Sequence, residues 1–255
     1  MRCGSRSASR AGWYRHTPIS LFAALLVATV PAQAAELQVY PLRLTLEPKA
    51  STGLLTVGNR GNDDTLIQIA VAEWKQVDGQ DVQTPTRDVL VNPPVFQLKA
   101  GAQQIARFGL RVPPTDVERS YRFTLQEVPQ QPKEGFTGLN TLLKMSIPIF
   151  VPPANPSPAM GWRIRSTDTG AELIMTNSGN VHVQVRTVKL VSGGQAAFDK
   201  PVNIYVLPGA TRAIPLELLR PIAQGASVAL AAETDQISFS ASMTAEPAGN
   251  GSTRR

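Results

Sequence analysis

Histidine, cysteine and clustered carboxylates are the side chains most often recruited for catalysis or metal binding, and this chain uses few of them. Its 255 residues contain two histidines, His16 and His182, and one cysteine, Cys3. His182 stands in Val181-His182-Val183-Gln184-Val185, directly after the turn-forming Asn177-Ser178-Gly179-Asn180. A nucleophile–histidine–carboxylate triad would have to use this one imidazole, yet no G-x-S-x-G elbow accompanies it. The other reading of His182 is a histidine on a strand face or turn. Asp63-Asp64 follows Gly61-Asn62 and suits the capping or solvation of a turn. No acidic spacing resembles a calcium loop, and no His or Cys cluster offers zinc ligation. Neither GxGxxG nor GxxxxGK[ST] is present to cradle a phosphate. The residues predict binding rather than catalysis, with no cofactor and no metal.

The N-terminus carries targeting chemistry. Arg2, Arg6, Arg10 and Arg15 precede the apolar run Ile19 to Val30, and Ala32-Gln33-Ala34 follows it. This is the charged, apolar and small-residue layout of a secretory signal peptide, with cleavage expected after Ala34 or Ala35. The run is short for a membrane-spanning helix. Cys3 precedes it, whereas a lipoprotein cysteine would follow. The processed chain therefore has no thiol and no disulfide, and must be held by packing. Those four arginines leave with the signal and no Asp or Glu does, so the formal charge falls from +6 to +2. Nucleic acid is not an expected partner, nor is stable membrane insertion.

Strand-like segments recur along the rest of the chain: LQVYPLRLTL (37–46), GLLTVGN (53–59), TLIQIAVAEW (65–74), QQIARFGLRV (103–112) and YRFTLQEV (121–128). Gly, Pro, Asn and Asp bound them, as in an all-β sandwich or barrel. Val151-Pro-Pro-Ala-Asn-Pro-Ser-Pro158 then stiffens the chain and marks a hinge. Beyond it come GWRIRS, AELIMTN, HVQVRTVKLV, KPVNIYVL, RAIPLEL and QISFSASM. The halves echo each other: LLTVGNRGN (54–62) parallels ELIMTNSGN (172–180), and QLKAG (97–101) parallels YVLPG (205–209). Two copies of one Ig-like sandwich would produce this order. Ordinary Asn-Gly turn chemistry would also produce the first match.

Leu139 to Pro153, LNTLLKMSIPIFVPP, alternates like a half-buried strand. Leu139, Thr141, Leu143, Met145, Ile147, Ile149 and Val151 share one parity. Pro148 has no N–H to give to a ladder, so the strand is expected at an edge, open to pairing with another chain.

Together these segments resemble the periplasmic chaperones of the chaperone–usher pilus-assembly pathway. The resemblance rests on VYPLRLTL with Arg43, the NRGN turn, Glu73-Trp74, DVLVNPPVFQLKAG (88–101), QQIARF (103–108), YRFTLQEVP (121–129) and IPIFVPP. It is similar to the branch with Pro-Ile-Phe-Val at the end of the donor strand. The resemblance implies an all-β protein of two Ig-like sandwiches set as a boomerang. The expected division is a signal peptide (1–34), a chaperone domain (35–151), a hinge (152–158), a second domain (159–246) and a disordered tail (247–255).

It further implies a non-enzymatic, periplasmic protein that lends a strand to secreted pilus subunits and passes them to an outer-membrane usher. The donor would comprise Leu139, Thr141, Leu143, Met145 and Ile147, although Ile147, Ile149 and Phe150 also suit the chain's own core. Family members anchor the subunit's terminal carboxylate with basic residues. Arg43 matches one of them; Pro148 occupies the second basic position, so Arg107, Arg122 or Lys144 must replace it. Arg43 or Arg107 could equally be a solvated charge on a sheet face. The loop between Glu127 and Asn140 is short and polar, resembling members with the shorter version. Self-association of the free protein would be another way to cover the edge. The non-chaperone alternative is a secreted two-domain Ig-like adhesin or scaffold with a static edge interface; the enzymatic one is a hydrolase built on His182.

Overall fold

The computed structural model describes residues 37–46, 51–130, 141–167 and 170–248. The expected signal peptide, Leu139 with most of the polar loop before it, and the expected tail from 249 onward lie outside the described residues. All regular elements among the described residues are strands.

The first sandwich has one sheet in the order β1 (Leu37–Tyr40), β3 (Thr52–Asn59), β8 (Gln103–Leu110), β6 (Val89–Asn92). Its second sheet runs β2 (Leu44–Thr45), β10 (Lys144–Val151), β9 (Arg119–Glu127), β4 (Thr65–Val77). On the far side of β4 lie β5 (Gln80–Pro85) and β7 (Val95–Leu98). Period-two alternation decides which side chains meet between the sheets. In β9, Tyr121, Phe123 and Leu125 are buried while Arg122, Thr124 and Gln126 between them are not. Phe123 meets Phe108 of the opposing sheet edge-on, ring centres 5.0 Å apart. The β4–β5 hairpin turns at Asp78-Gly79, both at positive φ (50° and 74°), as a two-residue hairpin turn requires.

The second sandwich opposes β11 (Met160–Thr167), β12 (Gly170–Asn177) and β15 (Thr211–Leu216) to β14 (Gln195–Val206), β13 (Val183–Ser192), β16 (Ser227–Thr234) and β17 (Phe239–Thr244). Trp74 and Phe150 of the first sandwich pack into the second core. Gln76 adds a backbone-like tie, donating to the Tyr205 carbonyl at 3.0 Å and accepting from the Leu207 amide at 2.9 Å.

The structure departs from the sequence reading in places, and β5, exposed throughout, is a strand that apolar alternation did not signal. LQVYPLRLTL is two strands in two sheets, because the chain crosses between sheets at Pro41, after which β2 pairs with β10. SVALAAET, not expected as a strand, is β16 at the centre of its sheet. Its alanines are small enough to pack closely but give little apolar contrast to read.

The echoed turns form the same hydrogen-bonded lock twice. Asn59 donates through Nδ2 to the Asp63 and Leu98 carbonyls and accepts from the Gly61 amide. Asn177 donates to the Val181 and Val206 carbonyls and accepts from the Gly179 amide. The backbone amides of Asn59 and Asn177 donate to Ala102 and Ala210, each at 2.9 Å. Both asparagines are buried, so removing either side chain leaves carbonyls without donors. Asn177→Ala should therefore lower the unfolding free energy by about 2–3 kcal/mol, from buried groups losing partners at roughly 1–3 kcal/mol each. Urea denaturation checks this, and an unchanged midpoint would contradict the lock.

Candidate functional site: an open strand edge beside a charged cleft

β10 pairs antiparallel with β9 along its full length, from Lys144 opposite Gln126 to Val151 opposite Arg119. On its other side, β2 covers only its end, pairing Leu44 with Ile149 and Thr45 with Phe150 in parallel. Among the described residues, no strand pairs with that side from Lys144 to Pro148. The ladder's phase is set by the Glu127 amide, which donates to the Leu143 carbonyl at 2.9 Å. Leu143 is thus a hydrogen-bonded partner of β9, and so, by alternation, are Met145, Ile147 and Ile149. The amides and carbonyls of Lys144, Ser146 and Phe150, and the Pro148 carbonyl, point the other way. The Leu46 amide donates to the Phe150 carbonyl at 2.8 Å, in keeping with this phase. Pro148 therefore lacks its N–H on the open side and costs no bond to β9.

The expected donor residues divide along the strand. Leu139 lies outside the described residues, and Thr141 is exposed ahead of β10. Leu143 and Met145 are half-buried, with Met145 against the first core. Ile147, expected in the donor set, is 2 % exposed within this protein's own core together with Ile149. Burial of such a side chain contributes about 1.5–3 kcal/mol to its own fold. Glu127 fixes the start of the strand. Its buried carboxylate accepts from the Leu143 amide at 2.8 Å and from Thr65 Oγ1 at 3.0 Å. The sequence reading passed over it as a bounding residue.

The even-numbered face of β10 runs into the cleft between the sandwiches. Phe150 stacks on His182, ring centres 3.5 Å apart and 10° from parallel. The Arg43 guanidinium lies 5.4 Å from the Phe150 ring centre. Arg43 Nη1 is 2.6 Å from Asp235 Oδ2, and Nη2 is 2.9 Å from His182 Nε2. Glu118 holds the other side of the imidazole, with both carboxylate oxygens 2.8 Å from Nδ1. His182, Glu118 and Asp235 are almost fully buried, whereas the Arg43 side chain is one-third exposed.

Arg122 lies directly across the ladder from Pro148 and stacks over Trp74, 3.6 Å from the ring centre. Burial lowers its pKa. Lys144 is exposed on the same face, four residues from Pro148, or roughly 13 Å along a strand. Arg107 does not join this group. Alternation in β8 buries Ala106 and Phe108 and turns Arg107 outward on the other sheet, opposite Leu54 and Asn92. Arg122 takes the place beside Pro148, and cross-strand register, invisible to a linear reading, puts it there. Glu118 and Asp235 were also missed, because each stands far from His182 in sequence and only the fold brings them to its ring.

Burial alone would lower the pKa of His182, but the carboxylates of Asp235 and Glu118 against its two ring nitrogens outweigh it and raise the pKa above 6.5. Burial alone would raise Asp235; the close contact with His182, the Gln184 amide on Oδ1, and the charges of His182 and Arg43 bring it down to about 2.

The sequence of residues 36–157 matches the family described as pili and flagellar-assembly chaperone, PapD N-terminal domain. Solved structures share the two-sandwich fold. A chain of the CsuC–CsuE chaperone–tip adhesion subunit pre-assembly complex, from the archaic chaperone-usher Csu pili of Acinetobacter baumannii, is 19 % identical. It superposes with a TM-score of 0.63 over 83 % of this chain and 99 % of that one. A chain of the Salmonella enterica SafA pilin–SafB chaperone complex is 22 % identical, with a TM-score of 0.55 over 82 % and 97 %. The Pseudomonas aeruginosa CupB2 chaperone is 18 % identical, with a TM-score of 0.52 over 80 % and 98 %. No curated protein matches the chain by sequence.

The two shifted groups make stability depend on pH in opposite senses. The stabilisation linked to His182 is complete below 6.5 and is lost as pH rises through its higher folded midpoint. That linked to Asp235 is present above 3.8 and is lost as pH falls towards about 2. Urea unfolding followed across this range should show a plateau falling at both ends, and His182→Gln should remove the decline on the alkaline side. An alkaline decline of the same size in that variant would contradict the assignment.

Proposed function

We propose that this protein is a periplasmic chaperone that binds pilus subunits by lending them β10 and delivers them to an outer-membrane usher. The observation that carries the reading is the half-covered edge. From Lys144 to Pro148 the strand offers backbone groups to a partner, and at Phe150 the Leu46 amide closes the ladder. An incoming strand must stop there, next to Arg43. A strand that stops because its chain ends brings a carboxylate, which a guanidinium can hold through paired hydrogen bonds. The client strand would run in the direction of β10, in line with β2, with its C-terminus at the cleft.

Backbone pairing gives affinity that depends little on client sequence, and alternating side chains fill pockets of the client. Leu143 and Met145, half-buried beside the open edge, are the pocket-filling residues of the described strand. Thr141 and, in the sequence, Leu139 continue the same parity. Arg43 is the first carboxylate anchor and Arg122, across from Pro148, the second cation. Lys144 is placed to meet the client strand further along.

Co-expression with a secreted pilus subunit tests this, with soluble complex as the readout. Leu143→Glu should reduce recovery about tenfold or more, since it puts a charge into an apolar groove. Ser146→Pro should do likewise by removing a donor on the open edge while leaving the bonds to β9 in place. Undiminished complex with both variants, each shown to be folded, would sink the reading. Among the cations, Arg122→Ala should weaken capture and Arg107→Ala should not, and the reverse order would return the anchor to the other sheet.

A further inference from the structure

His182 Nε2 has two neighbours that make opposite demands on it. Arg43 Nη2, 2.9 Å away, has only protons to offer and needs a lone pair on Nε2. Asp235 Oδ2, 3.3 Å away, is a carboxylate oxygen and needs a proton there. Nδ1 has no such choice, because both Glu118 oxygens hold a proton on it. The ring can satisfy Arg43 or Asp235, but not both. Asp235 Oδ2 records the conflict: it is buried without a directed hydrogen bond, although Arg43 Nη1 is in ion contact at 2.6 Å.

We propose that His182 is a positioning residue that decides how Arg43 is offered to an incoming carboxylate. Neutral His182 accepts from Nη2 and ties the guanidinium to the second sandwich; protonated His182 gives its Nε2 proton to Asp235 and releases Nη2 into the cleft. The inference rests on the reading of Arg43 as the carboxylate anchor.

In the tied state both terminal nitrogens of Arg43 are engaged, Nη1 by Asp235 and Nη2 by His182. A two-pronged grip on a new carboxylate then requires breaking one of them. Protonation places a positive charge against Nη2 and gives Asp235 a nearer-ideal partner, so the guanidinium swings free at little cost. The groups facing the imidazole come from five places. Glu118 lies just before β9, Asp235 just after β16, and Arg43 between β1 and β2; Phe150 of β10 is stacked on the ring, and Tyr205 of β14 has its ring centre 5.8 Å away. Two carboxylates against one guanidinium favour the protonated ring, in accord with its raised midpoint.

Side-chain nitrogen NMR of the full chain from about pH 5 to about pH 9 reads the His182 ring and the Arg43 guanidinium together. In parallel, binding is measured for a synthetic peptide of alternating apolar residues with a free C-terminal carboxylate, and for its C-terminal amide. Arg43 signals should follow the His182 midpoint. The carboxylate peptide should bind about tenfold more tightly below that midpoint than above it, the effect of one charge-assisted hydrogen bond, and the amide should show no step. His182→Gln should flatten both profiles; should it not fold, the wild-type titration decides alone. Arg43 signals that ignore His182, with the carboxylate still preferred, overturn the latch and leave the anchor standing. Equal binding of the two peptides at every pH overturns the anchor, and the proposed role with it.

Discussion

A strand has two sides on which to satisfy its backbone, and among the described residues β10 uses one of them for most of its length. The bond from the Glu127 amide to the Leu143 carbonyl fixes which residues face β9, and period-two alternation propagates that choice along the strand. The same choice sends Ile147 and Ile149 into the first core, and it directs the amides of Lys144 and Ser146 away from the sheet. Commitment to the core and availability to a partner are thus two outcomes of one register. Pro148 is compatible with both, since its missing donor falls on the outer side. The covered end at Phe150 gives the open side a definite length and brings its terminus to Arg43.

The charged cleft is a costly way to join two sandwiches, because Glu118, His182 and Asp235 surrender nearly all their contact with water. Such groups repay desolvation only when their geometry is well matched, and removing one leaves its partners stranded. Here the match is incomplete: Asp235 Oδ2 has an ion contact but no directed donor. A purely structural joint would be better served by apolar packing, of which Trp74, Phe150 and Tyr205 already supply a good deal. The incomplete pairing at Asp235 Oδ2, beside Arg43, the one member with substantial exposure, makes sense if that guanidinium must remain exchangeable.

The all-β class and most strands were legible because alternation and turn residues are local signals. β4, β8, β9 and β10 were read to within a few residues at most of their ends. The sheet crossing at Pro41 was not, since a continuous apolar alternation does not say which sheet each half joins. Arg43 could be singled out through the family resemblance of its strand. Arg122 could be named only as one of three cations, because its place beside Pro148 depends on register between strands far apart in sequence. Arg107, equally basic and equally set in an alternating strand, faces outward from the other sheet. Nothing within a single strand distinguishes the two. His182 was visible as a strand or turn histidine, but its two carboxylate partners come from distant loops.

The twin asparagine locks show how one local solution was put to two uses. Asn59 and Asn177 make matching bonds inside their own sandwiches, so the turn itself imposes no difference. The difference lies in the residues just C-terminal to each lock. In the first sandwich Asn62 is exposed and Asp64 accepts from the Ala100 amide. In the second, Asn180 bonds the Ser157 amide and the Asn155 carbonyl of the hinge, and the Asp116 carbonyl of the first sandwich. A Cβ on Gly179 would fall 2.4 Å from the Ser157 carbonyl oxygen, so only glycine lets the hinge lie this close. The Asn180 carbonyl then takes the Glu118 amide, and the Glu118 carboxylate takes the His182 amide and ring. His182 stands where the first copy has Asp64, five residues after the locking asparagine. The turn that closes the second core therefore also sets the imidazole against Arg43. The precision of the charged cleft comes from a buried amide lock five residues before the imidazole.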